Sequence, residues 1–146
     1  MKYLILLALL VLSSCLTLDL EKDSDRNSIL QKIDQQQAAW NSSDLEAFMQ
    51  AYHQSDSLKF IGRNGVNYGW VNVLNNYRSH YSSPEKMGNL NFRVIHLDRM
   101  GKNSFRMIGR YALDFTTGEE SQIGYFTLIW EKIKGSWLIT SDHTSG

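Results

Sequence analysis

The second half of the sequence carries four long segments in which apolar and polar residues alternate. The segments cover residues 90–99, 104–115, 122–133 and 137–143, and glycine-containing turns lie between them at 101–103, 117–118 and 134–135. Since side chains along a strand point alternately to the two faces of a sheet, this period predicts four strands. Short turns join strands that are neighbours in the chain, so the sheet should be an antiparallel meander.

The first half has the period of amphipathic helices. A first helix places one stripe of side chains on a common face, namely Ile29, Ile33, Gln36 and Trp40. The segment Ser43–Glu46 has the spacing of a capping box. It predicts the start of a second helix, whose stripe contains Leu45, Phe48, Met49 and Tyr52. A short strand is expected at residues 57–61, followed by a turn at 63–65.

A third helix is predicted beyond that turn. Its stripe contains Trp70, Val73, Leu74, Tyr77 and Tyr81, and residues 82–88 are expected to form a loop. Helices followed by a meander are typical of the α+β class. The sequence therefore predicts three N-terminal helices packed on a curved, mainly antiparallel sheet.

The N-terminus has the features of a bacterial lipoprotein signal peptide. Lys2 precedes ten apolar residues at 3–12, a run too short to cross a bilayer as a permanent helix. The segment Leu12–Cys15 then resembles a lipobox, and Cys15, the only cysteine of the chain, would be its lipidated residue. An ordinary signal peptide with a chance cysteine is the alternative.

These features predict three regions. We expect a signal peptide at residues 1–14, a lipid-anchored tether at 15–27 and a folded domain at 28–146. Several acyl chains hold a protein stably on a membrane, so the lipid alone would anchor it. The expected location is the bacterial cell envelope, on its periplasmic side or its surface.

Composition and motifs exclude several classes of function. The chain has 146 residues with 15 basic and 15 acidic side chains, and this neutral balance argues against nucleic-acid binding. One cysteine cannot build a disulfide framework. None of the four histidines has metal-ligand spacing, and no glycine-rich phosphate loop or Gly-x-Ser-x-Gly motif is present. We therefore expect neither a metal nor a cofactor.

An ordered set of short motifs runs from about residue 28 to the C-terminus. It includes Ala39-Trp40-Asn41, Phe60-Ile61-Gly62, Phe126-Thr127-Leu128, Gly135-Ser136-Trp137 and Asp142-His143-Thr144-Ser145. In this order the motifs resemble the DUF4440 / SnoaL-like group of the nuclear transport factor 2-like (NTF2-like) superfamily. The resemblance implies a cone-shaped fold in which a bent sheet wraps around helices and leaves a pocket. That superfamily includes isomerases, dehydratases and cyclases as well as binding and dimerisation domains, so the fold alone does not determine the function.

His143 is the first candidate catalytic residue. On the last predicted strand it shares a face with Trp137, Ile139 and Ser141, so regular alternation points it into the pocket. An imidazole there could transfer a proton, or it could close the core through a hydrogen bond to the backbone. Asp56, between the second helix and the first strand, is the candidate catalytic partner, and its alternative role is a turn cap.

The pocket is expected among aromatic side chains, most of which should belong to the core. Tyrosines with a buried ring and a polar tip would suit a flat, largely apolar ligand with one or two polar groups. Gln36, polar on an apolar stripe, could line the pocket or lie at its edge. The candidate ligand-binding residues are Gln36, Trp40, Tyr52, Phe60, Trp70, Tyr77 and Tyr125.

The segment 122–133 is apolar on both of its faces. One face should meet the helices, and a second copy of the chain, packed sheet against sheet, is the economical cover for the other. Our first hypothesis is a domain that binds a small apolar molecule without established catalysis. The alternatives are a cofactor-free lyase or isomerase that uses His143 for proton transfer, and a protein-interaction or dimerisation module.

Overall fold

The structure, a computed structural model, describes residues 24–146, and these contain four helices and six strands. Helix α1 occupies residues 24–41. The other elements are α2 (Leu45–Met49), β1 (Lys59–Gly62), β2 (Gly65–Tyr68), α3 (Trp70–His80), α4 (Pro84–Met87), β3 (Asn89–Gly101), β4 (Ser104–Asp114), β5 (Gln122–Ile133) and β6 (Ser136–Ser145). The predicted signal peptide and Cys15 lie outside the described residues. Residues 24–27, which were expected in the tether, belong to α1.

The six strands form one curved, mixed sheet in the order β2-β1-β6-β5-β4-β3. Strands β3 to β6 pair antiparallel with their chain neighbours, as the alternating segments predict. Strand β1 adds to the free edge of β6 in parallel, and the β1–β2 hairpin extends the sheet further. The predicted α+β class with a mainly antiparallel sheet is confirmed.

Three local predictions are wrong. The described residues contain four helices and not three, because Pro84 opens the short helix α4 where a loop was expected. Strand β2 was not predicted at all. The N-cap of α2 is Asp44, whose carboxylate accepts a hydrogen bond from the backbone NH of Ala47 at 2.8 Å. Ser43, the expected cap, has a left-handed backbone with φ of 60°.

A bulge in β6 changes which side chains face the helices. Ile129 pairs with Ser141 and the next residue of β5, Trp130, pairs with Ile139, so Thr140 is an extra residue without a partner. Beyond such a bulge the alternation of side chains is inverted. Ile139 and Asp142 are therefore both buried, whereas His143 is exposed.

The helices pack against the concave face of the sheet and form one core with it. Its largest fully buried side chains are Trp130 and Trp137. At the start of α1, the buried carboxylate of Asp25 accepts hydrogen bonds from Arg99 at 2.7 Å and from Lys132 and the Trp137 indole at 2.9 Å. This cluster attaches α1 to the sheet. In the part of the chain that the structure describes, no helix has the length and apolar character of a membrane span.

Candidate functional site

A cavity of about 440 Å³ lies between the helices and the concave face of the sheet. Its walls are largely aromatic, with side chains contributed by α1, α2, α3 and the sheet. The aromatic residues that line it are Trp40, Phe48, Tyr52, Phe60, Tyr77, Tyr81, Phe92, Tyr111 and Phe126. A cavity of this size with mostly apolar walls is typical of a small-molecule site.

The aromatic rings hold one another in place through edge-to-face contacts. Trp40 lies 5.2 Å from Phe48 and 4.7 Å from Tyr81 between ring centroids, and Tyr77 lies 5.4 Å from Phe48. The indole NH of Trp40 donates to the backbone carbonyl of Met87 at 3.1 Å, which fixes its ring. Such contacts make the wall a preformed surface, because each ring is restrained by its neighbours.

Glycines in the sheet make room for the rings on the opposite wall. A Cβ atom at Gly109 would lie 2.1 Å from the ring of Phe126, and one at Gly124 would lie 2.5 Å from the ring of Tyr111. Gly109 pairs with Phe126 and Gly124 with Tyr111 across adjacent strands. The two rings therefore lie directly over glycine backbone, which enlarges the space above the sheet.

The buried end of the cavity contains one acidic side chain, Asp142, with only 3% of its surface exposed. Its Oδ2 accepts a hydrogen bond from the Tyr52 hydroxyl at 2.7 Å, and its Oδ1 accepts one from the Thr144 hydroxyl, also at 2.7 Å. Tyr77 lines the same part of the cavity. Phenol, hydroxyl and carboxyl groups thus converge in an otherwise apolar space.

Burial governs the protonation of this group of side chains. It raises the pKa of Asp142 to about 6, although hydrogen bonds from Tyr52 and Thr144 act in the opposite direction. Burial and the nearby negative charge of Asp142 both raise the pKa of Tyr52 and of Tyr77 well above the usual range. Near neutral pH the phenols are therefore donors, and the pKa of Asp142 lies within about one unit of neutrality.

Polar side chains surround the outer end of the cavity. Arg63, Asn64, Asn76 and His80 line it and are exposed to solvent. Asn76 donates to the side-chain carbonyl of Asn67 at 3.1 Å. A ligand would therefore pass a polar rim and then enter aromatic surroundings.

Comparison with solved structures shows the family. A crystal structure described as an NTF-2 like protein of unknown function, from Shewanella oneidensis, is 33% identical to this chain with a TM-score of 0.79, and the match covers 83% of this chain and 98% of that one. The chain belongs to the NTF2-like family. No protein-family model matches the sequence, and no curated protein matches it either.

More distant NTF2-like structures share the fold. One is an NTF2-like superfamily protein from Salmonella enterica, at 16% identity and a TM-score of 0.67, covering 86% of this chain and 92% of that one. Another is described as a ketosteroid isomerase-like protein, from Erwinia carotovora, at 13% identity and a TM-score of 0.64, covering 82% of this chain and 93% of that one. At these identities the likeness concerns the fold alone.

Of the seven candidate ligand-binding residues in this NTF2-like protein, five line the cavity: Gln36, Trp40, Tyr52, Phe60 and Tyr77. The amide of Gln36 is buried and donates to the backbone carbonyl of Phe48 at 3.2 Å. Trp70 lies outside the lining and donates its indole NH to the carbonyl of Met49 at 2.9 Å. Tyr125 lies on the convex face of the sheet and is 55% exposed.

The two candidate catalytic residues do not reach the cavity. His143 is exposed, because the bulge at Thr140 turns it to the convex face. Asp56 is exposed in the turn between α2 and β1 and lies outside the lining. The structure therefore does not bring the expected pair together at the cavity. The acidic residue that lines it is Asp142, which regular alternation from Ile139 would have turned to the outer face.

Proposed function

We propose that this NTF2-like protein binds a small, largely apolar ligand in its cavity. The observation that carries the proposal is an aromatic-walled space of about 440 Å³ with a single buried carboxyl group, Asp142, at its inner end. A position that only stabilised the core would favour an apolar side chain, because burying a carboxylate opposes folding. The walls would contact the body of the ligand, while Asp142, Tyr52 and Thr144 would bind its polar end.

The test uses a fluorescent apolar probe, N-phenyl-1-naphthylamine, and a pair of matched variants in α3. Val73 is buried and lines the cavity, whereas Val71 on the same helix is 60% exposed and does not line it. Val73→Phe should weaken probe binding by at least about tenfold by occupying the space, and Val71→Phe should leave it unchanged. Leu113→Phe provides a second cavity-filling variant.

Circular dichroism would verify that each variant is folded before its binding is measured. Equal probe affinity in the wild type and in folded Val73→Phe and Leu113→Phe would place the probe outside the cavity and contradict the proposal.

A second candidate function is cofactor-free proton transfer by an isomerase, lyase or dehydratase. It is favoured by the pKa of Asp142, which burial raises to about 6, since a base that titrates near neutral pH is efficient in general acid–base catalysis. Asp142 would then exchange the proton, in the role first considered for His143. One fold neighbour is described as ketosteroid isomerase-like.

This candidate is tested by the exchange of α-protons of a small cyclic ketone in deuterated water, followed by NMR. Asp142→Asn should abolish any exchange above the background rate, whereas Asp98→Asn, on the convex face, should not change it. Exchange at the background rate with the wild-type chain across a panel of ketones would remove this function.

We further propose that two copies associate through the convex face of the sheet. Ile123 and Tyr125 are 49% and 55% exposed on the outer face of β5, in the middle of the meander. A second copy would cover these side chains, in agreement with apolar residues on both faces of that strand. Should the cavity bind nothing, the same face would support an interaction module.

Finally, we propose that the chain is a member of the DUF4440 / SnoaL-like group and a lipoprotein of the bacterial cell envelope. The support for the group is the ordered motif set, together with the family membership. The support for the anchor is the sequence around Cys15, where a charged start and ten apolar residues precede a small-residue pair and the only cysteine. The lipid would hold the domain at the membrane surface.

A further inference from the structure

Asp142 forms no ion pair in the part of the chain that is described. The charge of the adjacent His143, which is exposed on the other face of the strand, is the last of the influences that lower its pKa. The ion pairs of residues 24–146 involve the carboxylates of Asp25, Glu46 and Asp98, and none involves Asp142. Its hydrogen-bond donors are the neutral hydroxyls of Tyr52 and Thr144. A buried carboxylate is normally compensated by a cation, because burial without one opposes ionisation.

The aromatic walls around this carboxylate also attract a positive charge. The rings of Trp40, Phe48, Tyr77 and Phe60 form a continuous cluster, with Phe60 and Tyr77 5.8 Å apart between centroids. The faces of aromatic rings carry negative electrostatic potential and attract cations, and indole does so most strongly. Among residues 24–146, the side chains of lysine and arginine that lie over an aromatic ring do so at Phe105 and Trp137, and none lies over a ring of this cluster.

Other ligand classes match this combination less well. When Asp142 is ionised, a neutral ligand would leave its charge uncompensated and an anion would be repelled by it. A metal ion needs several ligating side chains, and residues 24–146 contain no group of three or more His, Cys, Asp or Glu that could hold one. An organic cation satisfies both the carboxylate and the rings.

We infer that the ligand of this cavity carries an organic ammonium group, which lies against Asp142 and the aromatic cluster. This inference rests on the proposed ligand-binding function and names the chemical class of the ligand. Each oxygen of Asp142 accepts one hydroxyl and keeps a lone pair free, so a primary or secondary amine can also donate a hydrogen bond to it.

The outer end of the cavity determines the orientation of the ligand. Phe60 pairs with Asp142, and Arg63 lies in the turn that follows the end of β1 at Gly62. Arg63 and His80 line that end. A second cationic group would be disfavoured there, so the ammonium end points inward and a neutral or anionic end points toward the rim.

The test compares choline with 3,3-dimethylbutan-1-ol, which differ in that a carbon atom of the alcohol replaces the ammonium nitrogen. Calorimetric titration of the full-length chain with each compound should show choline binding at least about tenfold more tightly. Asp142→Asn, which removes the charge and keeps the shape, should reduce choline affinity by at least about tenfold and leave the alcohol unchanged. Asp98→Asn, an exposed carboxylate on the convex face, is the matched control and should alter neither.

The outcomes separate this inference from the function on which it rests. Equal or weaker binding of choline than of the alcohol would overturn the ammonium inference while leaving the cavity as an apolar site. A preference for choline that persists in Asp142→Asn would also overturn it. If neither compound binds but N-phenyl-1-naphthylamine does, the inference fails and the proposed function stands. If all three fail, both are wrong.

Discussion

Ionisation of Asp142 should reduce the stability of the fold, and replacement of Asp142 by Asn should recover that stability. The side chain is buried, and no described cationic group forms an ion pair with it. Burial raises its pKa to about 6, despite the hydrogen bonds from Tyr52 and Thr144. A pKa that is higher in the folded chain than in the unfolded chain means that the folded chain binds the proton more tightly. The charged form therefore opposes folding.

The magnitude follows from this pKa difference. An unperturbed aspartate has a pKa of 3.8, against about 6 in the folded chain. The difference corresponds to about 3 kcal/mol of unfolding free energy, present below the lower pKa and lost as the pH rises through the higher one. Asn has the size and charge of the protonated acid, but its NH₂ group needs a new acceptor, which removes about 1 kcal/mol. Asp142→Asn should thus stabilise the chain by about 2 kcal/mol near pH 8 and not near pH 4.

Urea unfolding, followed by tryptophan fluorescence at steps between about pH 4 and about pH 8, measures both chains. Subtracting the two curves cancels groups that titrate independently of Asp142, such as Asp25. The coupling of Asp142 to His143 exists only in the wild type and is therefore part of the measured difference. Asp98→Asn is the matched control. Asp98 is an exposed partner of Arg106, and its replacement should change the free energy of unfolding by less than about 1 kcal/mol at every pH.

Two results would refute the reasoning. One is a difference in unfolding free energy between the wild type and Asp142→Asn that stays the same at every pH. The other is an Asp142→Asn chain that is less stable than the wild type near pH 8. Either would mean that the carboxylate is compensated in the folded chain, by a group or a route of solvation other than Tyr52 and Thr144.

Three further predictions concern other parts of the molecule. Cys15→Ser should move the protein from the membrane fraction to the soluble fraction, and unchanged retention would exclude the lipid anchor. Tyr125→Glu should convert a dimer into a monomer in sedimentation velocity, and an unchanged sedimentation coefficient would remove the proposed interface. Asp25→Asn should lower the free energy of unfolding by about 2 kcal/mol near pH 7, since it removes the negative charge that forms ion pairs with Arg99 and Lys132. Burial acts to raise the pKa of Asp25, but hydrogen bonds from Arg99, Lys132 and Trp137 hold it at about 2, so the difference should vanish only as the pH falls toward that value.

The long elements were predictable because many residues repeat one period. Strand β5 was expected at 122–133 and is observed there, and α3 contains most of the predicted helical stripe. Each of these segments has several apolar positions that agree with one another, so no single residue decides the assignment. The pairing of β3 to β6 followed from the turns between them.

The short elements could not be predicted, because a period needs more residues than they contain. Strand β2 and helix α4 have four residues each, less than is needed to show a period. Strand β2 exists because it pairs with β1. Strand β1 in turn joins β6 at the Phe60–Asp142 pair, 82 positions apart in the sequence, where only the tertiary fold brings the strands together. Of the five candidate residues that line the cavity, four lie on the predicted helical stripes and Phe60 lies on the predicted first strand. Tyr125 was assigned without a way to choose between two apolar faces.

The structure places Asp142, and not the expected His143, at the inner end of the cavity, and this has a specific physical cause. Apolar residues mark the inner face of β6 at Trp137 and Ile139, but every residue from Thr140 to the C-terminus is polar or glycine, so the alternation cannot be followed further. The bulge at Thr140 inverts the alternation of side chains in the rest of β6, and nothing in the sequence marks this bulge. Because adjacent residues face opposite sides, one inserted residue replaces an imidazole by a carboxylate at the inner end of the cavity. The sign of the charge that the site can bind therefore depends on the pairing of a single residue.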